Sequence, residues 1–97
     1  MKVEEENIKI LKEYFRDKPV LRAFIFGSFI KESFSEDSDI DILVELDYSE
    51  PIGLKFVQMQ MDLENLLNKD VDLVSSNGLS DYIKPFIEQD KVLIYAR

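Results

Sequence analysis

At 97 residues the chain is long enough for one domain with one modest core, and a hydrophobic content of 45% argues for a packed globule over disorder. It contains neither Cys nor His, which excludes disulfides and thiolate metal sites, disfavours zinc and leaves general base work to carboxylates. The formal net charge of −8 speaks against direct nucleic-acid binding, which needs clustered Lys and Arg. No long apolar span and no signal-like start appears, so a cytoplasmic protein without membrane contact is expected.

A first helix is predicted over Val3 to Arg16, with Ile8, Leu11 and Phe15 on one face and Asp17-Lys18-Pro19 as its stop. Leu21, Ala23, Phe24, Ile25 and Phe26 then read as a buried strand. Gly27 allows a tight turn that a side chain would obstruct, and Ser28 suits the N-cap of a short helix from Phe29 to Phe34. A strand-Gly-Ser-helix junction points free backbone N–H groups outward. Together with the positive end of the helix dipole they attract phosphate oxygens, and Lys31 is a candidate further phosphate contact.

Ser35 to Ser38 is a polar loop, after which Asp39 and Asp41 open a second apolar run through Ile40, Ile42 and Val44. Strand alternation places both carboxylates on one face, where like charges repel. A divalent cation removes that repulsion, and hard carboxylate oxygens suit Mg²⁺. A long helix is expected from Pro51, in its first turn, to Asn68. Its apolar set, Phe56, Val57, Met59, Met61, Leu63, Leu66 and Leu67, is wider than one stripe. Packing on the sheet and a neighbouring helix accounts for most of it, with Met59 and Met61 as the lesser case of an adaptable partner surface.

Val71 to Val74 is a short strand whose single charged member is Asp72. If it lies beside the Asp39–Val44 strand, Asp72 joins the same cluster. Asn77-Gly78 marks a turn, a helix follows between Ser80 and Gln89 with a restart at Pro85, and Val92 to Tyr95 forms a closing strand. The pattern predicts one α/β domain over residues 1–97, a mixed sheet flanked by helices. Tyr14, Tyr48, Tyr82 and Tyr95 read as packing or surface residues; each could accept a self-modification, and the sequence singles out none.

A Gly-Ser pair alone is a turn with a cap, and an Asp-x-Asp alone is a common strand end. Here Gly27-Ser28, ten intervening residues, Asp39-Ile40-Asp41 and then Asp72 follow in order. This series resembles the signature of minimal nucleotidyltransferases, small members of the DNA-polymerase-β-like superfamily, and the likeness runs from about Leu11 to the C-terminus. By that resemblance Gly27 and Ser28 bind a triphosphate, Asp39 and Asp41 bind two Mg²⁺ ions (Mn²⁺ being the alternative), and Asp72 binds one ion and helps activate the acceptor hydroxyl. The resemblance further implies transfer of AMP from ATP to a tyrosine of an all-helical HEPN toxin, with the chain as antitoxin, alone or assembled with itself or that partner. Phe29-Ile30-Lys31-Glu32 departs from the pattern. Lys31 stands where arginine is common and brings a point charge in place of a bidentate fork. Glu32 stands where glycine is common and would repel a triphosphate unless it points away. Two other readings stay open: a binding module that neutralises a toxin by occlusion, and nucleotidyl transfer to a small hydroxyl compound.

Overall fold

The structure, a computed structural model, describes residues 5–26 and 40–97 of the chain. The expected Phe29–Phe34 helix and the loop before Asp39 lie outside the described residues, as do the first residues of the expected N-terminal helix. The described elements are α1 (Glu5–Phe15), β1 (Val20–Phe26), β2 (Ile40–Leu46), α2 (Leu54–Leu67), β3 (Val71–Ser75), α3 (Lys84–Asp90) and β4 (Val92–Ala96), with a 3-10 turn at Ser76–Gly78.

The four strands form one sheet in the order β3-β2-β1-β4. β1 pairs antiparallel with β2 and β4, and β2 pairs parallel with β3, so the sheet is mixed as the alternating elements predict. A parallel pair needs a crossover, and α2 provides it. The alternation of β2 sends Ile40, Ile42, Val44 and Leu46 to one face, where they are buried against Leu11 and Phe15 of α1 and Met59, Leu63 and Leu67 of α2. Each fully buried aliphatic or aromatic side chain contributes about 1.5–3 kcal/mol relative to exposure. The other face holds a smaller cluster, in which Phe24 and Leu43 pack under Ile87 of α3.

Three expectations are corrected by local geometry. Leu21 is 40% exposed, not buried. In the β1–β2 register Val20 faces Leu46 and Arg22 faces Glu45, so Leu21 is the extra residue of a β-bulge and drops out of the alternation. Pro51 is outside the helix, which starts three residues later because Gly53 takes a positive φ of 43° at its N-cap. The same helix stops at Asn68, itself left-handed at φ 53°, a conformation that Asn tolerates. Finally, Met59 belongs to the core at 1% exposure, whereas Met61, two positions on and turned about 200° around the helix, is 53% exposed. Among the described residues the expected N-terminal helix, the Asp72 strand and the closing strand are present, and the helix expected between Ser80 and Gln89 forms only from Lys84 to Asp90, with Pro85 in its first turn.

Candidate active site

The second sheet face carries three rows of residues that face each other across the strands. Arg22 of β1 faces Glu45 of β2 and binds it at 2.6 Å. Phe24 faces Leu43, which faces Val74 of β3. Phe26 faces Asp41, which faces Asp72. The face thus grades from an ion pair, through an apolar middle row roofed by Ile87, to a carboxylate pair at the start of β2 and β3. Asp41 is half-buried and Asp72 exposed. Residues in register on neighbouring strands share a face, so the parallel pairing answers what the sequence left conditional: Asp72 does sit beside the Asp41 strand.

The two acid-bearing strand starts are fastened by bonds that sequence reasoning did not find. The Ile40 N–H donates to the Asp70 carbonyl at 3.0 Å, and the Val71 N–H donates to Glu64 Oε2 at 3.1 Å. Glu64 on α2 therefore holds the first residue of β3, next to Asp72, in place. Nothing in the local sequence singles it out, since Asp62 two residues earlier is an acid of the same helix and equally half-buried.

Of the other expected site residues, Gly27, Ser28, Lys31 and Asp39 lie outside the described residues. Among the described residues no group of three or more acids, His or Cys gathers in metal-binding proximity; Asp41 and Asp72 are a pair. The donor set of that pair is nonetheless right for a hard cation: carboxylate oxygens on adjacent strands, one of them open to water, with no nitrogen or sulfur ligand. Two like charges in register also cost stability unless something positive comes between them.

The groove of ≈ 670 Å³ beside α1, lined by residues that include Lys9, Ile10, Tyr14, Lys18 and Leu66, lies with the opposite layer and contains neither acid. There Tyr14 donates its hydroxyl hydrogen to Asp62 at 2.6 Å. Burial first, then the bond and charge of Asp62, push that hydroxyl well above the usual tyrosine range, and Lys18 sits over the ring at 4.5 Å. Tyr14 thus ties α1 to α2 through Asp62.

Residues 8–97 match the family model described as polymerase beta, nucleotidyltransferase. The chain belongs to this nucleotidyltransferase family. It is 43% identical over 88 residues to a Methanocaldococcus jannaschii protein provisionally named a protein adenylyltransferase, covering 89% of this chain and 85% of that one. It is 39% identical over 70 residues to the protein adenylyltransferase MntA of Thermococcus cleftensis, covering 72% of this chain and 70% of MntA. Among solved structures, a chain provisionally named a minimal nucleotidyltransferase superposes with a TM-score of 0.76 at 25% identity, over 90% of this chain and 88% of that one. The MNT antitoxin complex with a tri-AMPylated HEPN toxin of Shewanella oneidensis matches with a TM-score of 0.75 at 21% identity, over 98% and 74% of the two chains, a likeness of fold. In this nucleotidyltransferase the acids thus stand on the less covered face of the family's sheet. None of its described helices is long and apolar enough to cross a membrane.

Proposed function

We propose that the chain transfers AMP from ATP to a tyrosine hydroxyl of a HEPN-type toxin and acts as its antitoxin. One observation carries the reading: Asp41 and Asp72 stand in register on the less covered sheet face of a nucleotidyltransferase fold. Its support comes from relatives named protein adenylyltransferases and from the fold shared with the MNT antitoxin that was solved with an AMPylated toxin. A fold neighbour solved with AMP-PNP supports ATP as the donor, and a donor of that kind fits a cytoplasmic protein. Direct binding of nucleic acid has no part in this reading of a chain with net charge −8.

Asp39, Asp41 and Asp72 are the residues that would hold two divalent cations, Mg²⁺ or Mn²⁺. Bound there, such ions neutralise the triphosphate and the charge that develops on it. Gly27 and Ser28 would donate backbone N–H groups to the phosphate oxygens, with Lys31 as a further contact. Asp72, exposed and so open to an incoming protein, accepts the proton of the acceptor hydroxyl. The tyrosine oxygen forms its bond to the α-phosphorus as the bond to pyrophosphate breaks, and pyrophosphate leaves with the electron pair. Half-buried Asp41 is held at the floor of the site by its place between Phe26 and Asp72.

Intact-mass spectrometry of the co-purified partner tests the reading. Native chain with ATP should add adenylate to the partner. Asp41→Asn, nearly isosteric, should lower the rate by roughly 10²–10³-fold, the loss typical of one electrostatic group in a transition state. If the Asn variant still neutralises the partner and neither protein adds adenylate, the enzyme reading fails and occlusion takes its place.

A further inference from the structure

We propose that the exposed apolar patch formed by Tyr82 and Ile83, in the turn that leads into α3, and by Phe86 on α3 is the docking surface for the acceptor protein. The proposal rests on the transfer reading above. Three large apolar side chains stand exposed there, Tyr82 at 80%, Phe86 at 62% and Ile83 at 45%. Tyr82, in the turn before α3, and Phe86 are four residues apart with ring centroids 6.1 Å from each other, an aromatic pair of the type that anchors interfaces. The segment is firmly built from below. Ser80 accepts the Ile83 N–H on its carbonyl and its hydroxyl, at 3.2 and 3.3 Å, and Ile87 is buried on Phe24 and Leu43.

Position says what covers this patch. Leu43 lies two residues along β2 from Asp41 on the same face, so α3 rests one strand repeat, about 7 Å, from the carboxylate row. An ordinary protein interface covers roughly 800 Å² on each side, a disc about 30 Å across. Four strands span only about 15–20 Å. A folded protein that delivers a hydroxyl to Asp41 and Asp72 therefore covers α3 as well. The second exposed apolar stripe, Leu54, Val57 and Met61 on α2, lies with the opposite layer, and a protein docked there could not reach the acids.

Charge defines the occupant further. Asp81, Glu88 and Asp90 flank the patch, with Lys84 between Ile83 and Phe86; Asp70 and Asp72 lie before and on β3, and Lys91 is engaged by Glu88 at 2.9 Å and by the Phe24 ring at 4.1 Å, so the balance is acidic. The matching partner surface has an apolar hollow, a rim of Lys and Arg, and the acceptor tyrosine to one side of it.

The test uses the double variant Tyr82→Ser with Phe86→Ser, and separately Phe86→Lys, each checked for native circular dichroism. Calorimetry should show unchanged ATP binding. Transfer to the co-purified HEPN-type protein should show KM raised about tenfold or more, with kcat kept at saturation. The α2 variant Val57→Ser with Met61→Ser should leave KM unaltered. Native KM in the α3 variants, or an equal loss in the α2 variant, would overturn the docking surface. So would unchanged transfer by an α3 variant that loses self-association in sedimentation, since a second copy would then be the occupant. If the native chain binds ATP yet adds no adenylate to the partner, the transfer reading itself fails, a result distinct from any change in KM.

Discussion

The two faces of one sheet differ sharply, although the same strands make both. On the face toward α1 and α2, residues such as Phe15, Leu11, Ile40, Ile42, Val44 and Leu63 have at most 1% exposure and form one continuous cluster. On the face toward α3 the buried cluster is Phe24, Leu43 and Ile87, with Phe26 and Val74 only partly covered. The first face supplies the larger share of the buried apolar surface. The second is underlaid by it, and so can carry a charge arrangement that would be costly in a core. Strand alternation lets one residue serve the first face and its neighbour the second without either being compromised.

The largest test of this contrast is truncation on each side. Phe15→Ala should cost about 3–5 kcal/mol and Ile87→Ala about 2 kcal/mol, the low end for such changes because Ile87 already borders water. Urea denaturation at constant m measures both, and equal costs would erase the distinction. A smaller effect, of opposite sign, is expected at the carboxylates. Asp72→Asn removes a like charge in register with Asp41, so stability should stay level or rise by up to about 1 kcal/mol in a thermal melt. A clear drop in Tm would mean that the acid serves packing and that the second face is structural too.

The smallest effect lies at the other end of the sheet. Bonds from Ser49, then the Arg97 guanidinium at 2.7 Å, pull the Asp47 carboxyl down from 3.8 to about 2. A depressed folded pKa gives stability that is present above the unfolded value and lost as pH falls through 3.8 toward about 2. Asp47→Asn should flatten that part of the acid limb of a pH–stability curve and leave it unchanged at neutral slope. The pair is solvent-exposed, so the change should be modest.

The element order was legible because apolar runs and their punctuation were strong: Asp17-Lys18-Pro19, Asn77-Gly78 and Pro85 all fall where chain direction changes. Asp72 was legible as a lone charge in a β-rich run, but its meeting with Asp41 depended on strand order, which no local pattern encodes. Leu21 was misread because a bulge shifts the period-2 count by one and leaves no mark in composition. The start of α2 was misread because Pro51 suits a first turn in isolation, while Gly53 takes a backbone conformation that ends the run before it begins. Glu64 and the α3 aromatics were hidden for a different reason: their roles follow from which layer each helix joins.

The parallel pairing that brings Asp41 beside Asp72 has a consequence for timing. A parallel pair joined through a helix must wait for that crossover to be synthesised and seated. A nascent chain that has exposed β1 and β2 to the cell already displays the first acids but has no β3 to complete the row. The in-register acid pair is thereby completed late in biosynthesis, together with closure of the sheet, and a prematurely terminated chain ending within α2 would lack it.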